Sequence, residues 1–361
     1  MAWQFEWRRN WPEVWAEEFQ RRWRELLAVA EQTIVYHRPE VIRSWVETCG
    51  EVIGAQPCFG IARHSDGHRL LLTWVIVTYV GRLGRRRVLE PAGQSFFGYH
   101  SPLVVSGNID WSEFWRAVRH ELRGVCDQAL FRFLNADQAQ GAMSENCTDR
   151  NPVLDLTGLA DLAALLESRS ANHRGDVRRR LRRMVERGEI SLWIPGEAEV
   201  DVAQTDFLER FLPAYDEIWR QRPAGNMFAR AGVKEFAERA LTEGLTAGWA
   251  HYSVLNVGDE PVAWHLGLMD NRQLYWWIPT HAQSWSDWSP GKVLLTKLIE
   301  QGIADGWTHL HFQTGGHDYK LAWANADANL RTIRWQSPTL KGKVLSLYDR
   351  LHDRMMAGRI S

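Results

Sequence analysis

The sequence predicts a mixed α/β protein built in two halves of similar plan. Three observations carry this: strand-like and helix-like runs alternate along the chain, a fresh start at NPVLDL (151–156) repeats the plan, and no low-complexity linker divides the halves. With 361 residues, 45% of them hydrophobic and 24% charged, the chain can bury a large core. A formal net charge of -1 gives no global attraction to nucleic acid. No apolar run approaches the ~20 residues that span a bilayer, and the opening MAWQFEWRRNW has no apolar signal core, so a reducing cytoplasm is expected. Cys49, Cys58, Cys126 and Cys147 show no CxxC spacing, which points to free buried thiols rather than zinc ligands or disulfides.

The outlier in composition is tryptophan, at 20 residues. Trp3, Trp7, Trp11, Trp15, Phe19, Trp23 and Leu27 recur at every fourth position, which predicts an N-terminal Trp-rich helix over residues 1–30, with Asn10 and Pro12 suited to opening it near residue 11. A period of four drifts about 40° per step on a helix, so this stripe should wrap over a body, or else meet a membrane surface or a partner. Residues 33–50 read as a short strand and a helix. Residues 58–90 contain three strands with turns at Asp66-Gly67 and Gly81 to Gly84; WSEFWRAVRHEL (111–122) is a helix and ALFRFLNA (129–136) a buried strand.

The second half is clearer. NHRGDVRRRLRRMVERG (172–188) holds seven arginines, with Val177, Leu181, Met184 and Val185 as an apolar stripe, so one face packs and the others are cationic. Residues 252–281 form a meander with turns at Gly258-Asp259 and Asp270-Asn271. VLLTKLIEQGIADG (293–306) is a helix closed by Gly306, and HLHFQTGG (309–316) a strand running into a glycine turn. The expected divisions are 1–30, 31–150, 151–335 and 336–361, the last a strand or helix packing back on the first domain.

Ser289-Pro290-Gly291-Lys292 lies where a helix begins. Unpaired N–H groups and the helix dipole make such a start an anion site, and Lys292 adds a point charge. Arg174, followed by Gly175, is the member of the arginine helix best placed to meet an anionic ligand. Among Trp264, Trp276, Trp277, Trp285 and Trp288, whose flat faces suit sugar rings or acyl chains, strand alternation sends Trp276 and Trp277 to opposite faces, so at most one of that pair lines a cleft and the other is core. His311 and His309 share a strand face, and His311 titrates near neutrality as a base would, or is a hydrogen-bonded core histidine. His281 precedes the loop and reaches a substrate or closes a turn. His309, His311 and His317 match no zinc spacing, and no metal is expected.

The order meander, SPG turn, helix, Gly315-Gly316 and HDYKLAW (317–323) resembles the C-terminal half of the CelD/BcsL-like acetyltransferases, a branch of the GNAT superfamily related to the Fem-type aminoacyltransferases. The likeness extends over roughly residues 30 to 335, with GYHSPL (98–103) its fainter mark in the first half. It implies tandem GNAT-like domains, each a mixed central sheet flanked by helices. It also implies that a strand splayed from its neighbour, LYWWIPTH (274–281) with Trp277 and Ile278, pairs with the pantetheine arm of an acyl-CoA such as acetyl-CoA. Ser289, Pro290, Gly291 and Lys292 would then hold its pyrophosphate. Tyr319 would protonate the leaving sulfur, Lys320 would bind phosphate or the oxyanion, and His311 would stand where family members often carry an acid. On the residues' own chemistry, rather than the resemblance, Arg174, Trp264, His281 and Trp285 are expected to meet the acceptor. WSDWSPGK departs from the usual GNAT Gln/Arg-x-x-Gly-x-Gly/Ala loop, which keeps a different donor open.

Three functions compete. The first is an acyl-CoA-dependent N- or O-acyltransferase acting on a sugar-like, glycan or amine acceptor in polysaccharide or envelope metabolism. The second is a Fem-like transferase using aminoacyl-tRNA, and the third a degenerate GNAT binding module.

Overall fold

The computed structural model describes residues 2–81, 84–94, 96–105, 107–142, 144–145, 150–220, 222, 225–337, 339 and 341–342. Cys147, the tip of the Gly81 to Gly84 turn and most of the expected element at 336–361 lie outside these. The chain forms two compact units, Met1–Thr148 with Asn329–Ser361, and Asp149–Ala328.

The first unit opens with strand β1 (Trp3–Arg8), where a helix was expected from the four-residue spacing. Four is a multiple of two, so the spacing also suits a strand, and Trp3, Phe5 and Trp7 alternate with Gln4 and Glu6. The helical part begins at Asn10, whose side chain accepts from the Glu13 N–H to open α1 (Trp11–Trp15); α2 (Glu17–Val29) then buries Phe19, Trp23 and Leu26. The strand expected before residue 38 is instead a 3-10 turn, Val35–His37. Pro39 follows at the first turn of α3 (Pro39–Trp45), leaving no length for a strand. Next come β2 (Gln56–His64), β3 (Arg69–Gly81), β4 (Gly84–Pro91), β5 (Leu103–Val104), α4 (Trp111–Glu121), β6 (Gln128–Asn135) and β7 (Ser144–Glu145). Cys49, Cys58 and Cys126 are buried thiols outside any disulfide.

The second unit runs β8 (Pro152–Asp155), α5 (Leu162–Glu167), α6 (Ala171–Val185), β9 (Ile190–Trp193), α7 (Val200–Asp206), α8 (Leu212–Trp219), α9 (Val233–Arg239), β10 (Ala250–Val257), β11 (Glu260–Asp270), β12 (Gln273–His281), α10 (Pro290–Ala304), β13 (His309–His311), α11 (Asp318–Trp323) and β14 (Ala326–Asp327). The chain then returns to the first unit as β15 (Leu330–Gln336).

Both sheets are mixed and follow one plan. The first has strand order β1-β2-β3-β4-β6-β15-β7, with β5 beside β3; the second has β14-β8-β13-β12-β11-β10-β9. Each has four consecutive antiparallel strands, one parallel pair joined through a helix (β4 with β6, β12 with β13), and an antiparallel strand beyond it. This is the tandem pair of helix-flanked mixed sheets that the sequence predicts. In the second unit Val293, Leu294, Leu298 and Ile299 of α10 pack with Leu274, Trp276 and Leu310 of the sheet. That packing fixes where the start of α10 points. No helix among the described residues is long and apolar enough to cross a membrane.

Candidate functional site

The parallel pair of the second unit is short. Gln273, Leu274 and Tyr275 of β12 register with His309, Leu310 and His311 of β13, and pairing then stops. Beyond this point the Phe312 N–H turns to the Pro152 carbonyl, while β12 continues for six residues paired with β11 alone. From Trp276 onward the edge of β12 that faced β13 pairs with no further strand among the described residues.

A bulge shapes that edge. Leu266 registers with Ile278 and Leu268 with Tyr275, so Trp276 and Trp277 together face Gly267. A Cβ at Gly267 would lie 2.4 Å from His265 Cε1 and 2.8 Å from the Tyr275 carbonyl oxygen, so only glycine fits. His265 Nε2 accepts the Trp277 N–H at 3.2 Å.

The chain reaches α10 through Ser289 in the left-handed region (φ 56°) with Pro290 at the first helical position. The Ser289 carbonyl takes the N–H groups of Lys292 and Val293, at 3.0 and 3.4 Å. The Gly291 N–H has no acceptor among the described residues, and a Cβ at Gly291 would meet nothing within 4 Å. The helix start is therefore open at one donor, not at a full cradle of amides.

A cavity of about 410 Å³ connects this part of β12 to this helix start. Trp276, Pro279, Thr280 and His281 line it from β12, Ser286, Ser289, Pro290, Gly291 and Lys292 from the turn and α10, Ile218, Trp219 and Arg222 from the end of α8, and His317 and Tyr319 from the start of α11. Burial holds the Tyr319 phenol above its ordinary pKa, with the Trp276 indole opposing, so it keeps its proton at neutral pH. Burial and the Arg222 charge lower the His281 pKa; its ring is neutral at pH 7, with Nε2 3.2 Å from Ser286 Oγ.

The structure thus gathers Ser289, Pro290, Gly291, Lys292, His281 and Tyr319 around one cavity, and places the other sequence-predicted residues elsewhere. Trp277 packs edge-on against Phe236 (ring centroids 5.5 Å), and Ile278 is buried opposite Leu266. Trp264 is buried outside the cavity lining, and its indole N–H, with the Tyr252 hydroxyl, donates to Asp206. The Trp285 indole donates to Glu260. His311 stacks on Tyr275 and bonds Gln273 Oε1 at 2.9 Å; burial, then the neighbouring His309, lowers its pKa to about 3. Lys320 Nζ donates to the Thr314 carbonyl at 2.9 Å, and burial lowers its pKa to about 8.

Arg174 donates to the carbonyls of Glu167 and Arg169, closing α5. The arginines that meet the turn lie about two to four turns further on. Arg180 bonds Ser289 Oγ, Arg183 reaches the Asp287 carbonyl and Arg187 stacks over Trp288 at 4.7 Å. Their spacing, i, i+3 and i+7, was the available sequence signal. Trp219 and Arg222 gave none. Among the described residues no three His, Cys, Asp or Glu side chains gather as metal ligands would.

Residues 171–321 match the family model described as acetyltransferase (GNAT) domain. Similar solved structures include FemX (8% identity, 91% of this chain and 98% of that one, TM-score 0.59). They also include the C-terminal domain of a candidate lysylphosphatidylglycerol synthetase from Agrobacterium fabrum (12%, 91% and 96%, 0.53) and a conserved protein of unknown function from Bacteroides thetaiotaomicron (11%, 87% and 96%, 0.53). At these identities the likeness is one of fold. No curated protein sequence matches the chain. The matched segment carries the cavity and all its lining residues, and it is an acyltransferase domain of the GNAT type.

Proposed function

From this acyltransferase domain and its cavity, we propose that the chain transfers an acyl group from acetyl-CoA or a longer acyl-CoA to the amine or hydroxyl of a small sugar-like or amine acceptor. One observation carries the proposal: the edge of β12 beyond its pairing with β13, the unpaired Gly291 N–H, Lys292, His281 and Tyr319 all border a single cavity. The fit to an anionic carrier is local and specific. Gly291 leaves room for a phosphate at the helix start, and Lys292 is exposed beside it. The edge of β12 from Trp276 offers backbone groups to an amide-bearing arm.

The carrier supplies a thioester carbonyl. As the acceptor's nitrogen or oxygen bonds to that carbon and the carbon–sulfur bond breaks, the acceptor's proton passes to neutral His281 and the Tyr319 proton to the departing sulfur. Holding the reactants together supplies much of the rate, up to about 7 to 11 kcal/mol of barrier, against a factor of about 100 to 10,000 for a general base. His311 and Lys320 then serve as supports of the β13 turn, through Gln273 and the Thr314 carbonyl, and do not touch substrate. The narrower likeness to the CelD/BcsL-like enzymes, with a role in polysaccharide or envelope metabolism, rests on the SPG turn and on Tyr319, Lys320 and Trp323.

An aminoacyl-tRNA donor has one observation in its favour, the exposed arginines Arg178, Arg179 and Arg182 along one groove of α6. Calorimetric titration with acetyl-CoA, longer acyl-CoAs and an aminoacyl-tRNA tests the proposal. Saturable binding of an acyl-CoA supports it. Binding of the charged tRNA alone moves the donor to the second class, and binding of none leaves a ligand-binding module in place of a transferase.

A further inference from the structure

The cavity has two charged ends of the same sign. Its lining contains Lys292 and Arg222 and neither an aspartate nor a glutamate. The two cations serve different neighbourhoods: the Lys292 charge acts on His173 and Asp176 of α6, and the Arg222 charge on His281 and Tyr215. Arg222 Cζ sits over the Trp219 ring, 4.6 Å from its centroid, and no carboxylate among the described residues pairs with it. An arginine held on an aromatic face at a cavity mouth, without an acidic partner, keeps its fork of donors for a ligand.

The wall between these ends is also built to donate. Thr280 Oγ1 is buried, in a residue 3% exposed, and has no hydrogen-bond partner among the described residues, while the Trp276 indole N–H faces the Tyr319 hydroxyl. Leaving such a group unpaired costs about 1 to 3 kcal/mol, so its natural complement is a ligand oxygen.

We propose that Arg222 on Trp219 forms an acceptor pole, binding a carboxylate or phosphate carried by the molecule that receives the acyl group, while Thr280 Oγ1 bonds one of its neutral oxygens. The assignment rests on the donor occupying the Gly291 and Lys292 end. It also has a chemical consequence: two cations and no carboxylate disfavour an ammonium ion in the cavity, so an amine acceptor loses its proton there more readily and becomes nucleophilic. A polyamine, all positive, is excluded by the same charges.

The test uses ligand-observed saturation-transfer NMR on the full chain, with and without saturating CoA, and matched probes: glucosamine 6-phosphate against glucosamine, and glucuronate against glucose. The expected result is that the anionic member of at least one pair binds and its uncharged or cationic counterpart does not. The Arg222→Gln variant should weaken the anion at least tenfold and leave CoA affinity unchanged, and Arg222→Lys should recover part of the loss. Equal binding of both members of each pair, undiminished binding by Arg222→Gln, or no binding of either anion at millimolar concentration overturns the proposal. Displacement of the anion by CoA also overturns it, since Arg222 would then belong to the donor. If CoA fails to bind while the anion still depends on Arg222, the donor assignment fails and the acceptor pole stands.

Discussion

Replacing Gly291 by glutamate places a carboxylate at the helix start that is proposed to hold the donor's phosphates. The Cβ meets nothing within 4 Å and the residue is not in the left-handed region, so the substitution is sterically free and the variant should fold. With the carboxylate about 6 Å from a phosphate charge, the repulsion is about 0.7 kcal/mol at the dielectric of water and about 3 kcal/mol at an effective value near 20. A rim position beside exposed Lys292 lies between these limits, so acyl-CoA affinity should fall between about 3-fold and about 150-fold. Gly291→Ala separates charge from bulk: it should bind as the parent does, and the better helix propensity of alanine should leave stability equal or higher by up to about 1 kcal/mol. Calorimetry at low salt gives both affinities, and repeating it near 1 M salt, where the screening length is about 3 Å, should shrink the glutamate effect. Parental affinity in Gly291→Glu would show that no anion sits at the start of α10. Equal loss in both variants would show that bulk, not charge, is what the site rejects.

Three further outcomes are expected. Asp206→Ala leaves the buried Tyr252 hydroxyl and Trp264 indole without their acceptor and should cost about 1 to 3 kcal/mol for each orphaned donor in urea unfolding; a total below 1 kcal/mol contradicts the network. Gly302→Ala puts a Cβ 2.3 Å from Trp307 Cε3 and should lower the melting temperature despite the helix propensity of alanine, with overpacking costing about 1 to 3 kcal/mol; an unchanged melting temperature refutes the contact. Burial lowers the pKa of His251 to about 4 and that of His265 well below 6.5, so below pH 6.5 the unfolded chain takes up protons that the folded second unit refuses. Stability is full above pH 6.5 and falls as pH drops toward 4, and His251→Phe should flatten that fall in pH-dependent thermal melts.

How much of this was legible in the sequence depends on whether the determining contact was local. The meander from 252 to 281, the helix opened by Pro290 and closed by Gly306, and the arginine helix all announced themselves, because turn residues and 3.6-residue periodicity act within a few positions. Trp3 and Trp7 were ambiguous for a numerical reason, since a spacing of four satisfies strand and helix alike, and pairing with β2 decided for the strand. The helix start at Ser289 was legible as a place; that only one of its amides is unpaired depends on how the Ser289 carbonyl is shared. Arg174 looked free beside Gly175 but closes α5, a contact fixed by the chain reversal before α6. Trp219 and Arg222 reach the cavity only through the packing of α8 beside β12, and nothing in their neighbourhood of the sequence reports that.

The shared sheet plan raises the question of which unit can hold an anionic donor, and the crossover helices answer it. In the first unit α4 follows the parallel-pair strand β4, as α10 follows β12, but its start is already neutralised: Asp110 accepts the Glu113 N–H at 3.0 Å, and Glu113 itself adds a carboxylate in the first turn. A phosphate arriving there would meet two negative charges and one fewer N–H. At α10 no acid occupies the first turn, the N-cap hydroxyl is drawn toward Arg180, one amide is unpaired and a lysine stands beside it. The two starts thus carry opposite local charge on one architecture. Of these two helix starts only that of α10 is free of acids in its first turn, and it is the one bordered by the cavity and proposed to receive the carrier.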